Sequence, residues 1–327
     1  MIRTAPVTAR ALLVVAALAG GCSKKAKHYE DAGTGSAGSA AGPGTAAPQD
    51  AATVDVGKLA AELDKKCVAG ELEACRSLGV LYDEGKGVAQ DHARAAALFT
   101  QACNGGNLPG CDNLALALGR GIGVAKDPAK AAALFGRACA GGLALACRNL
   151  GLMLRDGDGV PQDLARADEL LDKACAAGAP FACTNAGNLD AALATKEPAR
   201  KVELLKRMLD HLTQGCNAGD PTACRQIGVA YLDGFGVPKS AVASVVWLTR
   251  GCDRNDAIAC RVLGMLVRDG VGTARDPARA AALLKRACER KDDEACKLIA
   301  GATAAPAPGD AGVIDAASVD AAKVRSD

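Results

Sequence analysis

The chain has 327 residues, half of them apolar and only 2% aromatic, and a formal net charge of +2. That length admits one or two globular domains or one solenoid. The near-neutral balance excludes a chain driven by overall charge onto nucleic acid or an acidic membrane, and the scarcity of aromatics points to small helices packed closely through Ala and Leu.

At the N-terminus, Arg3 and Arg10 precede an apolar run from Ala11 to Ala19. The run is too short to span a bilayer and has the shape of a signal-peptide core. It ends in Leu18-Ala19-Gly20-Gly21-Cys22, which resembles a bacterial lipoprotein cleavage box, with Leu18 one residue further from the cysteine than usual. The expectation is a signal peptide over 1–21 and lipid attachment at Cys22. The alternative is an ordinary secretory signal cut nearby, which leaves Cys22 free or removed. Ser23-Lys24 offers no Asp for inner-membrane retention, so the resemblance implies the periplasmic side of a bacterial membrane, the outer one before the inner. Residues 22–53 are rich in Gly, Ala, Ser and Pro without apolar periodicity. They read as a flexible linker spanning roughly 30 Å.

From residue 54 to 301 one spacing governs the chain. Two cysteines with seven residues between them recur seven times, as Cys67/Cys75, Cys103/Cys111, Cys139/Cys147, Cys175/Cys183, Cys216/Cys224, Cys252/Cys260 and Cys288/Cys296. The first cysteines lie 36, 36, 36, 41, 36 and 36 residues apart. Such a period is the mark of a repeat array. In one unit, Asn113 to Leu118 reads as a short first helix after Cys111, broken by Gly119-Arg120-Gly121-Ile122-Gly123-Val124. Asp127-Pro128 then opens a second helix, with Asp as cap and Pro at the first helical position. Asp55, Asp91, Asp163 and Asp276 repeat that cap 12 residues before a first cysteine. The array therefore begins with a lone second helix near residue 55 and ends with a lone first helix near Cys296–Ala300. After Cys183 the glycine loop is missing and five extra residues precede Cys216. A longer second helix or a bulged loop is expected there. Residues 302–327 resemble the linker in composition and read as a disordered tail.

Leu78-Gly79, Leu150-Gly151 and Leu263-Gly264 in the first helices, the Gly-x-Gly-Val loops, the capping Asp and the cysteine pairs together resemble the Sel-1-like repeat family, nearest its cysteine-rich Hcp type. The resemblance covers residues 54–301 and is weakest in the fourth unit. It implies an all-α fold, a right-handed α-solenoid of antiparallel helix pairs related to tetratricopeptide repeats.

The cysteine pairs fit disulfides only if the chain turns back between them. Eight residues of helix rise about 12 Å, whereas bonded cysteines have Cα atoms about 4.4–6.8 Å apart. Gly70, Gly106, Gly142, Gly178 and Gly219 stand three residues after a first cysteine, where a helix end takes a left-handed residue, and Asn255 tolerates that place; Lys291 does not fit. The expectation is seven disulfides, each tying a second helix to the next first helix. The rival reading is zinc. Its usual clusters have shorter cysteine gaps, and the chain has only three histidines, so no metal and no cofactor are expected.

The Hcp likeness also implies a β-lactamase label, and a β-lactam- or peptidoglycan-directed protein is one alternative function. No Ser-x-x-Lys motif is present: Ser77, Ser240 and Ser244 all fail it. His28, His92 and His211 read as solvated or partly packed. No catalytic residue is assigned. The residue after each second cysteine is basic in five of seven units, namely Arg76, Arg148, Arg225, Arg261 and Lys297. These form either a binding stripe along the first helices or ion pairs with Glu84, Asp156, Asp233 and Asp269. Trp247, Tyr82 and Tyr231 read as core. The functional expectation is a membrane-tethered, exported scaffold binding a protein or peptide in the cell envelope, with no nucleic-acid partner. A secreted host-interaction protein is the further alternative.

Overall fold

The structure, a computed structural model, describes residues 55–304, with side chains to residue 300. The expected signal peptide, Cys22 and linker lie outside the described residues, as does the expected tail beyond Ala304. The described residues form fourteen α-helices and no strand. A lone second helix, α1 (Val56–Val68), comes first. Six antiparallel pairs follow: α2 (Leu72–Glu84) with α3 (His92–Asn104), α4 (Leu108–Arg120) with α5 (Pro128–Ala140), α6 (Ala144–Asp156) with α7 (Leu164–Ala176), α8 (Ala182–Lys196) with α9 (Lys201–Asn217), α10 (Pro221–Asp233) with α11 (Ala241–Asp253), and α12 (Ala257–Asp269) with α13 (Pro277–Glu289). A lone first helix, α14 (Asp293–Ala304), ends the array.

Local chemistry sets these boundaries. Asp91, Asp127, Asp163 and Asp276 each accept a backbone N–H three residues on, at 2.9–3.0 Å. Ser240 does the same for α11 at 3.2 Å, so a hydroxyl replaces the carboxylate without loss of the cap. The first helices start earlier than expected. Each reaches upstream of its second cysteine, and in three of them the residue four before that cysteine caps the helix: Asn107, Asp220 and Asp256 accept N–H groups at 2.6–2.9 Å. This corrects the placement of the second cysteines. They do not precede the first helices but lie in their opening turns: Cys75 in α2, Cys111 in α4, Cys147 in α6, Cys183 in α8, Cys224 in α10, Cys260 in α12 and Cys296 in α14. Cys75, Cys111, Cys147, Cys224 and Cys260 are fully buried there.

The chain reverses between each cysteine pair in a Schellman turn. Gly142 has φ +94°, its N–H donates to the Cys139 carbonyl, and the Leu143 N–H donates to the Ala138 carbonyl, both at 3.0 Å. Lys291 corrects the reading from sequence. It takes the same left-handed backbone, φ +66°, with the same bonds from Lys291 N to Cys288 O and from Asp292 N to Ala287 O at 2.9 and 3.1 Å. Those bonds hold the turn whatever the side chain, at a cost of about 1 kcal/mol for a residue with a Cβ. The turn brings the paired Cα atoms to 4.4–4.8 Å, and all seven pairs are bonded.

The core lies between the helices of each pair. In the second helix of each pair, four residues before its cysteine, a large side chain is buried: Phe99, Phe135, Leu171, Leu212, Leu248 and Leu284. It faces a glycine of the first helix in five of the six pairs. A Cβ on Gly79 would meet Phe99 at 2.6 Å, and one on Gly228 would meet Leu248 at 2.7 Å. Trp247, Tyr82 and Tyr231 are partly buried and pack against this core; Trp247 lies one residue short of the fully buried Leu248 and stacks under Arg250 at 4.7 Å.

The loop between paired helices docks on the preceding second helix. A Cβ on Gly123 would meet the His92 carbonyl at 2.0 Å, so backbone packs on backbone there and only glycine fits. The fourth pair has no such loop. Instead α8 extends to 15 residues, a single 3-10 turn spans Pro198–Arg200, and α9 reaches 17 residues.

Candidate functional site

The cysteines themselves offer no reactive surface. Each Sγ of Cys75, Cys147 and Cys260 lies 3.6 Å from the carbonyl oxygen of its own disulfide partner, Cys67, Cys139 or Cys252. A bonded sulfur has no proton to donate, so these are packing contacts inside the turn rather than hydrogen bonds. The bonds join units, and the polar chemistry lies beside them.

The side chains following the second cysteines converge on the seam where one first helix meets the next. Each unit sends a bond across it. Asn107 Nδ2 donates to Glu73 at 3.0 Å, which also pairs with Arg76. Asn149 Nδ2 donates to Asp112 at 3.3 Å, and Arg148 donates to the Pro180 carbonyl at 2.8 Å. Thr184 bonds Asp220, while Arg225 and Arg261 pair with Asp256 and Asp292, both at 3.0 Å.

Of the two readings open from sequence, the arginines here are paired, but not with Glu84, Asp156, Asp233 or Asp269. Arg225 and Arg261 pair with the residue capping the next unit's first helix, 31 residues on, whereas Arg148 reaches the Pro180 carbonyl and Arg76 pairs with Glu73 of its own helix. A residue one turn into a first helix lies beside the start of the following one, whereas a carboxylate nine residues on lies at the helix's far end. The side chains of Arg225 and Arg261 are only 18% and 17% exposed. Arg148 is buried, and burial pulls its pKa down against the opposing charge of Asp112. Burial likewise raises the Asp112 carboxyl to about 6, outweighing the Asn149 hydrogen bond and the Arg148 charge. Lys297 alone is largely open, 76% exposed and 3.9 Å from Glu294.

A second polar cluster sits where the glycine loop is missing. Arg207 of α9 bonds Asp168 and Asp172 of α7 at 2.9 and 3.0 Å and lies 3.4 Å from Asp190 of α8. His211 places Nδ1 at 2.8 Å from Asp190, which is fully buried, and Nε2 at 3.4 Å from Asp172. The Asp190 hydrogen bond is the main reason the His211 pKa is raised; burial opposes it. Burial raises Asp172. Sequence reading found only His211 here, because Asp190 and Asp172 meet it across 21 and 39 positions of chain in a unit that breaks the repeat frame. Among the described residues, no three His, Cys, Asp or Glu side chains are grouped to hold a metal ion. His92 is engaged by Asp83 at 2.7 Å, and His28 and Cys22 lie outside the described residues.

The helix pairs, their caps and the glycine loops match a known repeat. The model of the Sel1 repeat aligns with residues 72–107, 109–143, 144–178, 221–256 and 257–292, more than half of the chain. The chain belongs to the Sel1 repeat family. The stretch between the third and fourth matched repeats is the irregular α8/α9 unit. Among solved structures, a Sel1 repeat protein from Oxalobacter formigenes is similar at 21% identity, over 71% of this chain and 96% of that one, with a TM-score of 0.58. A protective antigen of uropathogenic Escherichia coli with an SLR fold shares 21% identity over 76% of this chain and 60% of its own, with a TM-score of 0.43. Helicobacter pylori cysteine rich protein B shares 23% identity over 42% of this chain and 95% of its own, with a TM-score of 0.34. The Oxalobacter structure supports the fold; the other two superpose too loosely to add to it. No curated protein matches the chain. This is a Sel1 repeat scaffold in which seven disulfides and a polar seam join successive units.

Proposed function

We propose that this Sel1 repeat chain is an exported, membrane-tethered scaffold that holds a protein or peptide partner in the bacterial cell envelope. The observation that carries the reading is the run of seven consecutive disulfides, because such bonds persist on the oxidising side of a membrane. Among the described residues no helix is long and apolar enough to cross a bilayer. Attachment therefore falls to Cys22, behind the signal peptide proposed for 1–21 and ahead of the linker proposed for 22–53. The array offers a partner an extended surface of rigid helix pairs. Because Arg148, Arg225 and Arg261 are committed to the seam, they hold units together, and recognition falls to side chains outside it.

Globomycin treatment and membrane fractionation test the tether. The expected result is accumulation of an unprocessed precursor, and in untreated cells a membrane-bound form that withstands a high-salt wash, a resistance lost in Cys22→Ser. Cysteines that react with a thiol reagent in intact cells without prior reduction would show a cytosolic, reduced chain and overturn the reading. Affinity capture from envelope extracts by the non-lipidated chain then identifies the partner.

A further inference from the structure

The turns between cysteine partners form one edge of the array, and their left-handed position faces open space. At Gly70, Gly106, Gly142 and Gly219 a Cβ would meet nothing within 4 Å. A side chain placed there is displayed without being packed. The first five turns leave the position to glycine, preceded by Ala69, Gly105, Gly141, Ala177 and Ala218. The last two carry Arg254-Asn255 and Arg290-Lys291, with Asn255 and Lys291 held at φ +73° and +66°. At this position, three residues after the first cysteine, a residue with a Cβ stands only in these two turns, where the edge gains cations.

The surrounding geometry compensates that charge only in part. Arg290 and Arg286 both aim at one neutral acceptor, Asn255 Oδ1, at 2.7 and 3.4 Å. Asp253 lies 3.6 Å from Arg286 and is 67% exposed, Glu289 lies 4.0 Å from Lys285, and Asp292 is taken by Arg261, so among the described residues Arg290 has only a neutral partner. Arg254 is exposed and lies on the preceding disulfide, 3.1 Å from Cys224 Sγ. Alongside the cations runs an apolar strip. On α11, Val242 and Val246 are 65% and 51% exposed and lead at four-residue steps to Arg250. On α13, the exposed Ala278 and Ala282 lead in the same register to Arg286. Exposed apolar residues flanked by arginines, with a tryptophan under one of them, make the pattern of a surface that lies on a lipid interface. A soluble polyanion has no use for the exposed valines.

We propose that the turn edge of the last two units, built on Arg254, Arg290 and Lys291 beside Val242 and Val246, docks onto the phosphate headgroups of an anionic lipid surface. The guanidiniums take headgroup oxygens in place of Asn255 Oδ1, and the valines enter the interface. The contact is independent of any lipid on Cys22.

The test uses the full chain with Cys22→Ser, so that no acyl anchor contributes, and vesicles of phosphatidylglycerol with phosphatidylcholine against phosphatidylcholine alone. Any insertion of residues 11–19, whose flanking Arg3, Arg10, Lys24 and Lys25 also favour anionic lipid, is common to the parent and the variants below and cancels in their comparison on the same vesicles. Trp247, the only tryptophan, reports the event by fluorescence. Binding is expected on the anionic vesicles alone and to fall with salt. Arg254→Ala with Arg290→Ala, which restores residues found in earlier turns, is expected to weaken it about thirtyfold. Lys291→Gly is expected to weaken it about fivefold while raising the melting temperature, separating lipid contact from folding. Equal binding by the parent and the double variant would overturn the proposal. So would equal binding to both vesicle types, or binding to soluble polyphosphate without binding to vesicles.

Discussion

Asp112 and His211 occupy different units, yet both bind a proton more tightly in the folded chain than in an ordinary solvated site. The sign of their effect on stability is therefore the same. Between the ordinary carboxylate value near 4 and about 6, the folded chain holds the Asp112 proton that the unfolded chain has released, so stability falls as pH rises through that window. The full effect is about 3 kcal/mol. The contribution of His211 is complete below about 6.5 and is lost as pH rises through its raised pKa. Denaturant midpoints measured from pH 4 to 9 should thus descend in two steps. Asp112→Asn removes the lower step and stabilises the chain at neutral pH. His211→Gln removes the upper one. A midpoint that climbs across this range would contradict both assignments. These residues were legible in sequence only as a position in a stripe and a lone histidine. What makes them titrate unusually is burial and partners from neighbouring units, and neither is coded locally. The same reason explains Arg225 and Arg261: the basic position was readable, but its partner stands a whole repeat away.

At the scale of the helix, the pairing of a glycine with a bulky residue sets how closely the two helices of a unit approach. Gly228→Ala places a methyl 2.7 Å from Leu248 Cγ, and the α10/α11 pair must part to admit it. Overpacking of this kind costs about 1–3 kcal/mol. Urea titration should show that loss, and Leu248→Val in the same chain should recover part of it. Simple additivity of the two single changes would argue against a shared contact. Caps, glycine loops and turns were readable because each depends on one residue type at a fixed offset. The start of the first helices was not, since Asn107, Asp220 and Asp256 cap from a position hidden inside the cysteine spacing. That is why Cys111, Cys224 and Cys260 read as preceding helices in which they are in fact embedded. Nor was the α8/α9 unit legible beyond its extra length. Without a docking loop, it is held to α7 by Arg207 and His211, side chains that no periodicity marks.

Over the whole molecule, stability accumulates from each unit and its neighbours. Each disulfide closes a loop between residues eight apart, contributing about 2.5 kcal/mol in the chain-entropy account. Helices of 13 residues with Ala-rich faces are marginal alone. Reduction is accordingly expected to lower the melting temperature sharply and to broaden the transition as units uncouple; a melt unchanged by strong reductant would falsify this. The architecture was legible because its period and its chemistry coincide at the cysteines.

The order of those cysteines bears on how the molecule comes into being. Every bond joins a cysteine to the next one along the chain, never to a later one. A chain threaded N-terminus first into an oxidising compartment presents each partner before any competitor has emerged. Closing the shortest available loop also carries the least entropic cost. Oxidation in order of arrival thus yields native connectivity, and seven bonds that could be mispaired in many ways need no reshuffling.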